Sequence, residues 1–469
     1  MNLSKKDVVW GYFAQFFTIA SGILILPLVL RLLTPEEIGM NFLMLTIGTM
    51  VSLLDFGFAP QIGRNFSYVF AGAQILQKEG LGISNEVNAT VNYRLLATLI
   101  HTAKFIYRII SFVVLFVMLS FGTLYIYIIT KGFTNVDNAL IIWCLYSVST
   151  FFNIYYAYYI SMLSGKGMIK EMQKSIVYSR IAYIMISVVL LLFDFGLIGV
   201  VLANFIAPFV SRYLSYHYFY SLDIKEKINN FIIDKSEILD LFTTIWYNAK
   251  KLGIVYIGAY AITKFGIFLS GLYLTLPEVA SYGIMMQLVG VISTVAGTLF
   301  TISNPRFSIL KFERNNTLLL KNFALSMGVF YLVFIIGGFI LAFIGPLLFS
   351  ALKSNIALPA TYIILLYVVV MMLEANHSYF STIIVIGNSV PFVWISLMTG
   401  GLIILGSFIS LYYTNLGILG LVLVQGGVQG AYNNWKWPKV VCKDFNISFF
   451  DFLKLSMFET ATKLKIHKK

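Results

Sequence analysis

Twelve apolar stretches of roughly 20 residues or more run through most of this chain, separated by polar segments that are mostly short. As an α-helix, about 20 apolar residues cross the ~30 Å hydrocarbon core of a bilayer. A helix is expected because lipid offers the backbone no hydrogen-bond partner. The pattern therefore predicts twelve membrane spans: Val8–Leu30, Ile38–Ala59, Phe105–Thr130, Ala139–Leu163, Ser175–Phe193, Gly196–Tyr216, Leu252–Leu276, Ala280–Ser303, Asn322–Ile344, Pro359–Ile386, Pro391–Tyr412 and Leu416–Asn434.

Lysine and arginine residues are concentrated at the two chain ends and in alternate gaps between the spans. Of the 33 such residues, 29 fall on one side of the predicted topology, and only Arg31, Lys131 and Lys353 fall on the other. Cytoplasmic segments of membrane proteins carry an excess of Lys and Arg, so we expect both termini to be cytoplasmic. The remaining residue, Lys264, lies inside the seventh span.

Composition excludes a soluble protein. The chain is 59% hydrophobic and 11% charged, with a mean hydropathy of +0.85, whereas a soluble domain is about 25% charged. The net charge of +13 follows from the cytoplasmic bias and from attraction to anionic lipid headgroups. We therefore predict an all-α, multi-pass inner-membrane protein that contacts membrane lipids and not nucleic acid.

A long polar connection divides the spans into two groups of six. We predict an N-terminal lobe at residues 1–220, a cytoplasmic linker at 221–251, a C-terminal lobe at 252–434 and a basic cytoplasmic tail at 435–469. Apolar residues among the lysines of the tail are spaced as in a helix lying in the headgroup plane. The predicted outer loops are too short to house a catalytic domain, so we expect a protein that is not an enzyme.

The two groups of spans resemble each other. Pro35 follows the first span and Pro277 follows the seventh, while Arg64 and Arg306 follow the next helices at the same separation. This matched spacing indicates an internal repeat, with chance as the alternative because Pro-Glu is common at helix starts. The repeat predicts two six-helix lobes related by an axis along the membrane normal, as in transporters that rock one lobe against the other.

Three short motifs carry a family resemblance: Thr34-Pro35-Glu36-Glu37-x-Gly39, Asp55-Phe56-Gly57 and Asp194-Phe195-Gly196-Leu197-x-Gly199. In these segments the chain resembles the polysaccharide exporters, and it is most similar to Wzx-type O-unit flippases of the multidrug/oligosaccharidyl-lipid/polysaccharide (MOP) superfamily. The resemblance implies a MATE/MOP-like fold in the bacterial inner membrane. It also implies the flipping of an undecaprenyl-pyrophosphate-linked oligosaccharide to the outer leaflet for O-antigen, lipopolysaccharide, capsule or exopolysaccharide biosynthesis, with a glycan polymerase of the same pathway as a candidate partner.

Two charged residues lie near the centres of predicted spans, where a charge costs roughly 2.5–3.5 kcal/mol to insert. Lys264 is in span seven and Glu374 in span ten. Lys264 either binds the substrate's pyrophosphate or an acidic sugar, or it forms a buried ion pair with Glu374. His377 lies one turn beyond Glu374 on the same helix face. These two residues either couple transport to a proton or cation, or form a polar cluster between helices.

Four further candidates lie near span ends. Arg64 and Arg306 are interpreted either as a cationic mouth for the anionic headgroup or as ordinary cytoplasmic anchors. Arg31, at the outer end of span one, either pairs with a nearby glutamate or receives the substrate outside. Asp55 starts an Asp-Phe-Gly turn and is a candidate for ion coupling if it lines a cavity.

A MATE-like multidrug or cation antiporter is the main alternative. Such antiporters usually place an acidic residue in the first helix of a lobe, whereas span one has none and span seven has a lysine. A membrane-embedded glycan polymerase or ligase is a third possibility, but these enzymes generally need a large outer loop. No cofactor and no metal site are predicted, since the four histidines are scattered and the two cysteines lack metal-ligand spacing.

Overall fold

The computed structural model describes residues 5–70, 72–78, 90–220, 222–312, 314–386 and 391–466, and all regular structure in these residues is helical. The chain divides into two compact units, Met1–Ile257 and Gly258–Lys469. Unit 1 contains α1 (Lys5–Leu32), α2 (Pro35–Ser52), α3 (Phe58–Phe70), α4 (Tyr93–Val117), α5 (Thr123–Ile129), α6 (Ala139–Tyr155), α7 (Tyr158–Lys166), α8 (Ile169–Leu192), α9 (Gly196–Phe219), α10 (Leu222–Asn229) and most of α11 (Lys235–Thr263). Unit 2 contains α12 (Phe265–Tyr273), α13 (Leu276–Phe312), α14 (Asn316–Phe339), α15 (Gly345–Ala351), α16 (Thr361–Ile386), α17 (Val393–Tyr413), α18 (Gly417–Ala431), α19 (Asn433–Asp444) and α20 (Phe449–Ile466).

Nine helical segments in the described residues are long and apolar enough to cross a membrane. They coincide with nine predicted spans and cover Pro35–Asp55, Tyr93–Ile129, Ala139–Lys166, Ile169–Leu192, Gly196–Phe219, Leu276–Thr301, Asn316–Ala351, Thr361–Ile386 and Val393–Tyr413. The first predicted span corresponds to α1, the seventh is divided between α11 and α12, and the twelfth corresponds to the 15-residue α18. The predicted all-α, polytopic fold is confirmed.

Several predicted spans are interrupted. In span two, a 3₁₀ turn over Leu53–Asp55 is followed by Phe56 and Gly57 with φ of 44° and 75°, so the helix ends and restarts. Span four breaks at Tyr156 between α6 and α7, and span seven breaks at Lys264. A hydropathy window covers many residues. A break of only one or two residues is therefore averaged out and is not visible in the apolar pattern.

The third span of each unit has the same construction. Asn92 caps α4 by accepting a hydrogen bond from Leu95 N at 3.0 Å, and Asn315 caps α14 by accepting one from Leu318 N at 3.1 Å. Each helix then runs into a π turn, at Met118–Gly122 and at Ile340–Ile344. The loops that follow contain Lys131 and Lys353 in left-handed conformations, with φ of 49° and 51°. The two lysines are separated by the same number of residues as the two π turns, which supports an internal repeat.

The hairpin that contains α2 also has an equivalent in unit 2, at a larger sequence separation than that between the two third spans. Thr34 and Glu37 form a capping box at the start of α2, and Thr275 and Glu278 make the equivalent hydrogen bonds at α13. The spacing between equivalent residues decreases after this hairpin, because the connection from α3 to α4 is much longer than the one from α13 to α14.

The Glu37 carboxylate has a second role in unit 1. Besides closing the capping box, it accepts a hydrogen bond from Leu197 N at 3.0 Å. Leu197 lies at the start of α9, directly after the left-handed Gly196. This contact joins two of the motifs that carry the family resemblance.

The tail differs from the simple interfacial helix that its sequence predicts. α20 packs along α14 through a buried stripe of Phe452, Ser456 and Thr460. Gly328 of α14 permits this approach, because a Cβ there would lie 2.3 Å from the Ser456 carbonyl oxygen. Phe450, Met457 and Phe458 remain exposed on the opposite face. α20 is therefore docked on a predicted membrane helix, while the location of its exposed apolar face in the headgroup plane stays a prediction.

The repeat and the charge pattern together predict that Lys131 and Lys353 lie on the same, outer side of the membrane. In a background with Cys144 and Cys442 replaced by serine, Lys131→Cys and Lys353→Cys should react with a membrane-impermeant maleimide added to intact cells. Arg314→Cys, an exposed position between α13 and α14, should react only after permeabilisation. Labelling of Arg314→Cys in intact cells, or protection of either lysine position, would contradict the topology.

Candidate functional site

Lys264 is placed at a helix break. It lies between the end of α11 and the start of α12, with φ of −127° and ψ of −21°, and its backbone N–H donates to Tyr260 O at 2.8 Å. The residue is accessible to solvent in the structure. No carboxylate in the described part of unit 2 lies within 4 Å of its ammonium group. The hypothesis of a Lys264–Glu374 ion pair is therefore wrong for this structure.

Glu374 contacts His377 and not Lys264. Glu374 Oε1 lies 3.8 Å from His377 Nε2, and the two side chains are only 14% and 12% exposed. His377 Nδ1 lies 3.0 Å from Asn434 Oδ1, so a proton on Nδ1 is favoured. In the neutral imidazole, Nε2 then directs a lone pair toward the carboxylate. One added proton on either group would turn this repulsion into attraction, which makes the pair suited to holding a proton.

Further polar side chains surround this pair. They lie on α14, α16, α17, α18 and α19, and their hydrogen bonds join Tyr331 to Asn376, Asn433 to Thr399 and Gln429, and Trp437 to Asn433. Three enclosed atoms in this group lack a hydrogen-bond partner within the described residues: Glu374 Oε2, Gln429 Nε2 and Asn434 Nδ2. Because buried polar atoms are normally hydrogen-bonded, Glu374 Oε2 marks a place where water, a proton or a cation can bind, whereas the two amide nitrogens are donors that need an acceptor such as water.

Asp55 occupies the break in span two of unit 1. Its Oδ2 accepts a hydrogen bond from Ala59 N at 3.1 Å, which caps the restarted helix α3. Its Oδ1 is enclosed and faces the hydroxyl of Tyr107 on α4, with which it interacts without reaching the geometry of a full hydrogen bond in the described structure. The expected structural role at a helix end is thus present.

Aromatic side chains hold this turn against α11. The Phe56 and Phe58 rings lie 5.9 and 5.5 Å from the Trp246 ring, centroid to centroid. Gly253 allows the approach, because a Cβ there would lie 2.4 Å from the Phe56 ring. The segment predicted as a linker forms α10 and the first part of α11, and this part of α11 packs within unit 1.

The three candidate arginines lie on three different helices, two in unit 1 and one in unit 2. Arg31 is exposed in the last turn of α1. Arg64 is exposed on α3, where its guanidinium donates to Gln61 Oε1 and lies 5.9 Å from the Tyr68 ring centroid. Arg306 lies on α13, and its side chain is outside the part of the chain that the structure describes. The cationic-mouth hypothesis remains a prediction.

Two arginines of unit 1 are missed by the sequence reasoning. Arg180 and Arg212 lie inside predicted spans five and six. Each is close to a span end, so both are included among the 29 cytoplasmic Lys and Arg residues. In the structure both line a pocket of about 330 Å³ between α6, α7, α8 and α9. A search for charges inside the apolar stretches, instead of a count between them, would have found both.

No protein-family model matches this sequence, and no curated protein matches it. Solved structures do. An inward-facing multidrug resistance MATE family transporter of the MOP superfamily aligns with a TM-score of 0.63 and 14% identity, covering 94% of this chain and 99% of the other. The lipid II flippase MurJ, in an inward closed conformation, aligns with a TM-score of 0.64 and 13% identity, covering 98% of this chain and 92% of MurJ.

This chain has the same fold as these two solved structures. A MOP superfamily transporter from Pyrococcus furiosus also aligns, with a TM-score of 0.50, 13% identity, and coverage of 94% of this chain and 95% of the other. At these identities the similarity establishes the fold, and the substrate has to be argued from the residues.

The Glu374–His377–Asn434 contacts predict a stability effect. His377→Ala removes the partner of both the carboxylate and the Asn434 amide, and leaving buried polar groups unsatisfied costs about 1–3 kcal/mol. We expect a lower unfolding midpoint in detergent, measured by scanning fluorimetry. Ser378→Ala is the matched control, because Ser378 is the exposed neighbour on the same helix, and it should leave the midpoint unchanged. Equal midpoints for the two variants would show that the contacts contribute nothing.

Proposed function

We propose that this protein flips an undecaprenyl-pyrophosphate-linked oligosaccharide from the cytoplasmic to the outer leaflet of the bacterial inner membrane by alternating access, for O-antigen, capsule or exopolysaccharide biosynthesis. The observation that carries the proposal is the exposed Lys264 at the break of the seventh span, without an acidic partner among the described residues of its unit. An unpaired cation at membrane depth is costly and is expected to serve an anionic ligand.

The break supplies the geometry for this role. Discontinuous membrane helices place irregular backbone and helix ends at transporter binding sites. Lys264 is the N-cap residue of α12 without a side-chain cap hydrogen bond, so its side chain starts at the positive end of that helix dipole. Lysine is a compact point charge with three donors, which suits a phosphate oxygen. We assign Lys264 to the pyrophosphate head, with Arg31, Arg64 and Arg306 as candidate contacts along the path.

The comparisons support a transporter without selecting this substrate. One aligned structure is a flippase of lipid II, and another is a multidrug resistance transporter. The lipid-linked substrate is favoured by the charge at Lys264, since a lysine attracts a pyrophosphate and repels a cationic drug. A polymerase of the same pathway is the protein partner that this function implies.

The transport test compares two variants of Lys264 with one of another lysine. Lys264→Ala should reduce flipping of the lipid-linked repeat unit about tenfold or more, because a charge-assisted hydrogen bond contributes about 1.5–3 kcal/mol. Lys264→Arg should retain more activity, since the charge is kept. Lys353→Ala, which removes an exposed lysine elsewhere in unit 2, should behave as wild type. The measurement is the accumulation of lipid-linked repeat units on the cytoplasmic side of membranes that contain equal amounts of each variant.

Normal export by Lys264→Ala would reject this site. Loss of export in Lys353→Ala as well would show that removal of any lysine from unit 2 is damaging, and the assignment of Lys264 would lose its support.

A MATE-like cation antiporter is the second candidate, and the buried Glu374–His377 pair favours it. Its carboxylate has one oxygen without a hydrogen-bond partner in the described residues, where a proton or cation can bind. The same pair could couple flipping to an ion gradient. The two functions differ in the transported molecule, so efflux of a cationic dye by reconstituted protein would favour the antiporter.

The coupling role of Glu374 has its own test. Glu374→Gln keeps the shape of the side chain and removes its titration, so transport driven by a proton gradient should lose its dependence on pH. Transport should be followed in proteoliposomes between acidic and mildly alkaline pH, with Glu36→Gln as a control at a carboxylate outside this cluster. An unchanged pH profile for Glu374→Gln would exclude the carboxylate as a coupling group.

A further inference from the structure

The pocket that contains Arg180 and Arg212 is not used by the proposed transport site. It has a volume of about 330 Å³ and lies in unit 1 where the break between α6 and α7 faces α8 and α9. Its lining residues include two arginines, two asparagines, two serines and two tyrosines, and no aspartate or glutamate among the described residues. We infer that this pocket binds the phosphate headgroup of a membrane lipid.

Arg212 is held in place for such a ligand. Its guanidinium lies over the Phe209 ring at 4.3 Å and over the Tyr156 ring at 5.1 Å, measured to the ring centroids. Its Nη2 donates to Asn153 Oδ1 at 2.8 Å. These contacts fix the plane of the guanidinium, so little side-chain entropy remains to be lost when an anion binds.

One donor of this guanidinium is unused. Arg212 Nη1 is enclosed and has no hydrogen-bond partner in the described structure. Arginine has five donors and no acceptor, so the missing partner must be an acceptor such as a phosphate oxygen. Arg180, on the facing helix α8, adds a second positive charge to the same pocket. Two guanidinium groups without a carboxylate in the described lining leave the pocket with a net positive charge.

The remaining lining groups are built into the helices. Pro208 cannot donate to the carbonyl of Asn204 four residues earlier, and Ser149 Oγ donates to that carbonyl instead, at 3.2 Å. Ser179 Oγ donates to Ala207 O at 2.9 Å. These hydrogen bonds satisfy the backbone at the pocket wall, so the hollow is a stable feature of the packing of α6, α8 and α9.

The internal repeat shows that the fold does not require this arginine. Gly196 and Gly417 begin the sixth span of each unit in the same left-handed conformation, with φ of 53° and 52°. At the spacing that separates these two glycines, the counterpart of Arg212 in unit 2 is Asn433, whose hydrogen bonds are made within its own unit. The positive charge is therefore particular to unit 1 and needs a reason other than helix packing.

The depth of the arginines indicates a lipid headgroup. Arg212 precedes Tyr216, the predicted cytoplasmic end of span six, by about one helical turn, and Arg180 follows Ser175, the start of span five, by slightly more. At 1.5 Å per residue both lie roughly 6–8 Å inside the predicted span ends, below the headgroup region, and their long side chains can extend toward it. A lipid phosphate can reach that level while its acyl or prenyl chains stay in the bilayer.

The source of the phosphate is either a phospholipid of the bilayer or a prenyl-phosphate carrier, and the inference stands whichever molecule the protein transports. The test uses the full-length protein in detergent and follows its unfolding midpoint against added lipid. The four probes are phosphatidylglycerol, undecaprenyl phosphate, diacylglycerol as a phosphate-free lipid, and inorganic phosphate. Wild type should be stabilised by the two phosphate-bearing lipids and not by diacylglycerol.

Variants assign the effect to the pocket. Arg212→Gln should weaken the apparent affinity for phosphate-bearing lipid about tenfold or more. Arg108→Gln, which removes an exposed arginine from α4 outside the pocket, should respond as wild type. If Arg212→Gln does not fold, Arg180→Gln on the other wall provides the same comparison, and a smaller loss for Asn153→Ala would separate charge from positioning.

The outcomes are distinct. A response to undecaprenyl phosphate alone would place the carrier lipid in the pocket, whereas an equal response to phosphatidylglycerol would identify a bound phospholipid; both support the inference. Equal stabilisation by diacylglycerol, or unchanged affinity in both arginine variants, would overturn it. Saturation by inorganic phosphate alone would overturn the assignment to a lipid. Failure of the Lys264 transport test would leave this result unaffected, because the readout is lipid binding and not transport.

Discussion

A peptide group that loses its helical hydrogen bond inside a bilayer finds no water to replace it, and each helix interruption in this chain has to satisfy that constraint. The solutions are local and can be identified. Asp55 caps the restarted helix in span two, and Ser149 compensates for Pro208 in span six. The π turns of the third spans keep the backbone bonded while changing the helix face by one residue. Interruptions are thus possible where a side chain supplies the missing partner.

The residues of functional interest occur at or next to these interruptions. Lys264 separates α11 from α12, Asp55 ends the turn after α2, and the Arg212 pocket opens beside the break at Tyr156. A continuous apolar helix has its backbone fully bonded and presents only its side chains, so it offers few places for a polar ligand. The breaks create polar groups and space together, which explains why the same positions hold the unpaired or partly paired charges.

The internal repeat gives the two units related frameworks with different charges. In unit 1, the fourth and sixth spans meet at Asn153 and Arg212. In unit 2, the fourth span carries His377, which meets Asn434 at the end of the predicted sixth span. The charged group near this contact between the fourth and sixth spans is the guanidinium of Arg212 in unit 1 and the carboxylate of Glu374 in unit 2. The related frameworks therefore carry different charged groups, a guanidinium in unit 1 and a carboxylate in unit 2.

How much of this can be predicted from the sequence depends on the range of the interaction. The spans follow from hydropathy, and Lys264 and Glu374 stand out because a charge in an apolar run is visible without a structure. Glu374 contacts His377 on its own helix, as the i, i+3 spacing indicates, whereas the partner Asn434 is 57 residues further along the chain. The docking of α20 on α14 depends on Gly328, whose small size is informative only once the helices are known to meet. Arg212 is missed because a positive charge near a cytoplasmic span end already has an ordinary explanation.

Anchoring at a cytoplasmic span end does not account for the contacts of Arg212. An anchoring arginine extends its guanidinium to water, where hydration satisfies its five donors. Arg212 instead lies between two aromatic rings, bonds to Asn153 and encloses Nη1 without an acceptor in the described structure. Anchoring does not require these contacts, whereas an anion between the helices would supply the acceptor that Nη1 lacks in the described structure. The choice between a flippase and a cation antiporter rests on Lys264 and Glu374. In either case, a phosphate-bearing lipid bound in unit 1 would stabilise the folded protein.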